Sequence, residues 1–332
     1  MLFHPTVIAI LLASGLGVLM LLAASPFAVQ VIRRWDGGSG SELQLVLERR
    51  TYLFSTLLAF VFAAQLLALL LFVLNADAMA IMFVGAMCAV GTLNVNPWGF
   101  PALGAQVALF FLAAVWLAIN HLDNQARDYP LVRLKYALFL AFGPLLAATF
   151  ALQLAYFLGL RADVITSCCG SLFSADSKGL SGDLTALPPA PALWGFYGAL
   201  ALAVGISAHG WLRRRSGPLL AVASAAAFGA AIAGILSFLS LYLYEHPHHH
   251  CPFCILKPEY GHQGYALYIP LFLATAAGLA AGAVQLCGRK ASLRHLAPAL
   301  TGRLAGIAGL GFLLFAAVAT AMIWRSNLIL IG

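Results

Sequence analysis

Long apolar runs cover residues 7–32, 52–74, 101–120, 134–160, 191–212, 218–244, 265–287 and 303–324. A bilayer-crossing helix needs about 20 mostly apolar residues, and each of these runs comes close to that length or exceeds it. A shorter run, 79–93, contains Gly85 and Gly91 and ends in the polar turn Asn94-Val95-Asn96-Pro97. It is expected to be a half-helix that enters the membrane and returns, a form tolerated where protein surrounds it. The expected fold is all-α, a polytopic membrane helix bundle of about eight crossing helices plus the half-helix at 79–93.

Composition supports this reading. Hydrophobic residues make up 62% of the 332 positions and charged residues only 9%, against about 25% charged in a soluble domain. The net charge of +7 raises the question of nucleic acid. However, the basic residues lie in short clusters between apolar runs, and there is neither a Gly-rich phosphate loop nor a basic-aromatic stripe. Nucleic acid is therefore excluded as a partner, and the clusters read as the positive-inside pattern. They fall at Arg33, Arg34, Arg49 and Arg50, at Arg127, Arg133 and Lys135, at Arg213, Arg214 and Arg215, and at Arg289, Lys290, Arg294 and Arg303. All four reach one side only if 79–93 does not cross. Both termini and the loops 75–100, 161–190 and 245–264 then lie on the extracytoplasmic side, with a bacterial inner membrane as the expected location. The first run is longer than a signal-peptide core and leads into Arg33 and Arg34 rather than a cleavage site, so it is expected to be retained. The linear division is 1–130 (N-terminal helices with the re-entrant segment), 131–290 (a four-helix bundle carrying the outer cysteine loops) and 291–332 (the last crossing helix).

The candidate chemistry lies in the outer loops. Of six cysteines, Cys168 and Cys169 are adjacent in one loop, while Cys251 and Cys254 form a Cys-Pro-Phe-Cys motif in the next. That face is oxidising in a bacterial envelope, so these four are expected to spend part of their time as disulfides. A CxxC pair closes a small disulfide ring and suits redox cycling, and a protonated His248, His249 or His250 beside it would favour the thiolate. Vicinal cysteines seldom both make relaxed long-range bridges. Two alternatives remain open. His248, His249, His250, Cys251 and Cys254 also read as a copper or zinc site, since imidazole and thiolate together suit those ions. Equally, the four outer cysteines can be structural staples. Ile255 follows Cys254 where a haem-attachment motif needs His. Cys88 is able to face the outer loops, and Cys287, beside Gly288 and Arg289, reads as an inert small residue.

The stretch from Ala162 to Ser174, with Asp163-Val164 leading to Cys168-Cys169-Gly170-Ser171-Leu172-Phe173-Ser174, resembles the loop segment of the vitamin K epoxide reductase family. Cys251 and Cys254, preceded by Leu241-Tyr242, resemble that family's membrane-proximal pair. The resemblance runs over about residues 134–287, roughly half the chain. Ala162 stands near the family's first loop cysteine, which leaves Cys168 to take that place. Lys257-Pro258-Glu259 follows the pair where the family begins a helix. The resemblance implies a four-helix bundle made of 134–160, 191–212, 218–244 and 265–287. It also implies a thiol–disulfide oxidoreductase that relays electrons between an extracytoplasmic protein partner, Cys168 and Cys169, Cys251 and Cys254, and a quinone in the bilayer. A non-catalytic accessory holding copper or zinc, or a structural subunit, is the alternative from the residues alone.

The other polar residues read as scaffold. Gln153 is expected to bond a neighbouring helix. Asn120, His121, Asp123 and Asn124 are expected to meet headgroups at a helix end. No carboxylate is expected at mid-membrane, which argues against an ion-coupled transporter.

Overall fold

The computed structural model describes residues 3–166 and 180–330, and they are helical with no strand among them. The long helices are α1 (Pro5–Arg34), α2 (Glu42–Ala78), α4 (Gly99–Gln125), α5 (Val132–Leu158), α7 (Pro189–Arg213), α8 (Gly217–Gly234), α10 (Gln263–Cys287) and α11 (Leu296–Arg325). Between them lie the short helices α3 (Ala89–Leu93), α6 (Leu180–Thr185) and α9 (Ser240–Tyr244). A π-helical turn, Ile235–Leu239, joins α8 to α9 into one continuous rod. Among the described residues, 8 helices are long and apolar enough to cross a bilayer. Large apolar side chains also stay exposed along their outer faces, for example Leu12, Leu16, Leu19 and Leu22 on α1. Water would not leave such stripes uncovered. The protein is an integral, multi-pass membrane protein.

Local chemistry sets the helix ends. Proline occupies the first turn of α1, α7 and α8, where its missing N–H costs nothing. Arg33 and Arg34 close α1, and Arg213 closes α7, placing cations at the negative end of each helix dipole. The α7–α8 turn is tight, with Arg214 (φ 53) and Ser216 (φ 73) both left-handed.

The 79–93 segment is not one of the crossing helices. Nor is it one continuous half-helix. A 3-10 turn, Met79–Met82, extends α2, and α3 is only 5 residues long. Gly85 explains the break. Its φ of +86 is open to glycine, and a Cβ there would meet the Thr166 carbonyl oxygen at 2.2 Å.

The chain packs as two compact units. The first comprises Met1–Asn75, Asn96–Leu160 and Ala283–Thr301. Phe27, Phe62, Trp116, Tyr136 and Phe139 fill its core. A chain of amides ties four of its helices together. Ser14 donates to Gln153 Oε1 (2.7 Å), Gln153 to Gln106 Oε1 (2.9 Å), Gln106 to the Gln65 carbonyl (3.0 Å), and Gln65 to the Ala13 carbonyl (3.3 Å). Gln153 thus bonds a neighbouring helix as expected, in a network that holds α1, α2, α4 and α5.

Asp123 does not meet headgroups. It is fully buried and pairs with Lys135, itself buried, at 2.8 Å. Its other oxygen accepts the Leu131 N–H at 2.7 Å, and Asn120 Oδ1 accepts from Lys135 Nζ at 3.2 Å. A charge removed from water needs such a partner, and the short α4–α5 connection brings one within reach.

The second unit comprises Ala76–Val95, Arg161–Gly282 and Gly302–Gly332. Its long helices are α7, the α8–α9 rod, α10 and α11, with Phe196, Phe238, Leu271, Phe312 and Phe315 in the core. Small residues let the rods close up: a Cβ on Gly278 would lie 1.9 Å from Ser224 Oγ, and one on Gly311 would lie 2.8 Å from Ala274 Cβ. Of the four helices named by the family resemblance, α5 belongs to the first unit and the other three lie mostly in the second.

Candidate functional site

The site lies in the second unit, where parts of the expected outer loops meet. The rod ends at Tyr244 because Glu245 turns left-handed (φ 51). The chain to α10 is then built of turns, including 3-10 turns at Cys254–Leu256 and Pro258–Tyr260. Two phenols fix the Cys-Pro-Phe-Cys backbone: Tyr244 Oη donates to the Cys251 carbonyl at 2.6 Å, and Tyr268 Oη donates to the Pro252 carbonyl at 2.7 Å. Cys88 arrives from the first loop in extended conformation at the position just before α3. Thr166 straps that loop, taking the Val84 carbonyl with its N–H (3.0 Å) and the Gly91 carbonyl with its hydroxyl (2.9 Å).

These supports bring three sulfurs together. Cys88 Sγ and Cys251 Sγ are 3.5 Å apart, and the Sγ atoms of Cys88, Cys251 and Cys254 all lie within 4.8 Å of one another. Exposure is 0% for Cys88 and Cys251 and 6% for Cys254. Cys168 and Cys169 lie outside the described residues. Cys287 belongs to the first unit, half-buried at the end of α10.

Two charges flank the cluster. Asp77, near the end of α2, accepts the Ala89 N–H beside Cys88, and its Oδ1 lies 3.8 Å from Lys257 Nζ. Lys257 thus supplies a cation to the loop while engaged with Asp77.

The three consecutive histidines differ in placement. His248 is exposed, its N–H bonded to His246 Nδ1. His250 is buried, and its Nδ1 lies 2.7 Å from the Leu236 carbonyl at the π-helical turn. A carbonyl only accepts, so this nitrogen carries the proton. His249 packs at a tilt against Tyr244 with ring centroids 4.1 Å apart, and its Nε2 is buried with no hydrogen-bond partner among the described residues. Burial pushes the His249 imidazole below its usual range, with Cys88 partly offsetting this, and burial likewise pushes His250 down. Burial thus works against an imidazolium at these two positions.

The expected metal set is rearranged in the same way. Cys251 and Cys254 gather with Cys88, and the described cluster contains none of the three histidines. Cys88, Asp77 and Lys257 were not among the sequence candidates. The signal for Cys88 was present in the charge pattern: once 79–93 does not cross, it falls on the same face as the 245–264 loop.

No protein-family model, curated protein or solved structure matches the chain. Its function is therefore argued from these side chains.

Proposed function

We propose that the protein is a membrane thiol–disulfide oxidoreductase in which Cys251 exchanges between Cys254 and Cys88. The observation that carries this reading is the 3.5 Å separation of the Cys88 and Cys251 sulfurs, with Cys254 in the same cluster. A disulfide brings sulfurs to about 2.05 Å, so closing one needs a shift of about 1.5 Å, within the reach of a side-chain rotation. Thiol exchange also needs a third sulfur in contact with the pair, and the cluster supplies it.

The exchange balances as follows. A thiolate of a partner dithiol attacks Cys251 in a Cys88–Cys251 disulfide. Cys88 leaves as thiolate and takes a proton. The partner's second thiol, deprotonated, then attacks the partner sulfur of the mixed disulfide, giving a partner disulfide and releasing Cys251. The reduced protein passes two electrons and two protons to a quinone, which becomes quinol. In reverse, the same steps reduce a partner. Cys168 and Cys169 are proposed to act as the dithiol partner of buried Cys251 and to be reduced again by dithiol exchange with an extracytoplasmic protein, with the cysteine loops on the oxidising face of a bacterial inner membrane.

The test uses a double variant, since either neighbour can resolve Cys251. With Cys88→Ser and Cys254→Ser together, Cys251 should accumulate in a mixed disulfide, to Cys168, to Cys169 or to an external thiol protein, detectable by non-reducing mass spectrometry. Finding Cys251 only as a thiol would sink the exchange reading and favour the structural one.

A further inference from the structure

We infer that Cys88, Cys251 and Cys254, as thiolates, hold one soft d10 metal ion, copper(I) or zinc. Thiolates select these ions over harder divalent cations. A thiolate lies about 2.3 Å from zinc, which in a tetrahedron sets sulfurs about 3.8 Å apart. The cluster, with all three sulfurs within 4.8 Å and one pair at 3.5 Å, brackets that spacing.

The surroundings point the same way. The two phenolic hydrogen bonds and the Thr166 strap hold both loops without a metal, so the donors are pre-positioned. All three sulfurs are withdrawn from water. Buried thiolates repel one another, and a cation among them relieves that cost. This set differs from a loop of consecutive histidines: His248 faces solvent, and His250 spends one nitrogen on Leu236.

The inference does not rest on the exchange chemistry. A disulfide through Cys251 and an ion bound by Cys251 exclude each other, so occupancy follows the reduced state.

The experiment uses the full chain in detergent, reduced by a phosphine under argon. One arm receives zinc and the other copper(I). After desalting, metal per chain is measured by mass spectrometry, and X-ray absorption counts sulfur neighbours. The expected result in at least one arm is about one ion per chain with three sulfurs at about 2.3 Å. Cys88→Ser and Cys254→Ser should each weaken binding at least about tenfold, and Cys287→Ser should leave it unchanged. Absence of an ion from the reduced wild type in both arms overturns the inference, as does full occupancy in Cys88→Ser. The wild-type spectrum decides the matter even if a variant misfolds. Exchange assayed on the same samples keeps the two claims separate: binding without exchange leaves this site standing, and exchange without binding removes it alone.

Discussion

Cys251→Ser is expected to abolish dithiol-driven reduction of a quinone analogue, lowering the rate by at least about a thousandfold. Cys251 lies 3.5 Å from Cys88 and is three positions before Cys254 in the Cys-Pro-Phe-Cys turn. A serine hydroxyl neither ionises near neutral pH nor forms a disulfide, so both exchanges stop at once. Cys88→Ser and Cys254→Ser each leave Cys251 one sulfur neighbour among the described residues and should cost less, about ten- to a hundredfold. The measurement is quinol formation in proteoliposomes across the three variants, with Cys287→Ser as the control. A Cys251→Ser variant retaining more than about a tenth of the wild-type rate would remove Cys251 from the chemistry.

Lys135→Met should be the most damaging substitution in the first unit. It strands the buried Asp123 carboxylate, and breaking one side of a buried ion pair costs about 3–5 kcal/mol. Asp123 Oδ2 lies 2.8 Å from Lys135 Nζ, with both side chains withdrawn from solvent. Asp123→Asn should cost less, because the amide oxygen still accepts the Leu131 N–H. The double change Asp123→Leu with Lys135→Met should recover much of the loss, since an apolar pair of similar volume often replaces a buried ion pair at little cost. Thermal unfolding in detergent, followed by helicity, reads all three. A single Lys135→Met variant within about 1 kcal/mol of wild type would show the pair to be solvated.

Apolar runs placed the long helices well. The run 7–32 became Pro5–Arg34 and 101–120 became Gly99–Gln125, because a bilayer demands length and hydrophobicity that the sequence displays directly. Charge clusters excluded 79–93 from the crossings, and Gln153 announced a bond to a neighbouring helix. The internal form of 79–93 was not legible, since it depends on Thr166, far along the chain, occupying the space beside Gly85. Asp123 was misplaced for a similar reason. A carboxylate near a helix end looks solvated until the next helix brings Lys135 over it. At the site, Cys251 and Cys254 were visible as a motif, whereas Cys88 had no local partner to mark it. The histidine run looked uniform in sequence, but its members separated once the loop turned: His248 outward, His249 onto Tyr244, His250 onto the Leu236 carbonyl.

The exchange reading is tested most directly by a reductive titration of the wild-type protein, starting from the oxidised form. Cysteine states are read by differential alkylation and mass spectrometry, and helicity is followed in parallel. Structural disulfides resist reduction down to about −300 mV or lower, whereas exchanging pairs open at higher potentials. The expected result is that Cys251 and its bonded neighbour become alkylatable above about −300 mV while the helices stay folded. A bond through Cys251 that opens only as the helices melt, or a Cys251 that never enters a disulfide under oxidising conditions, would contradict it.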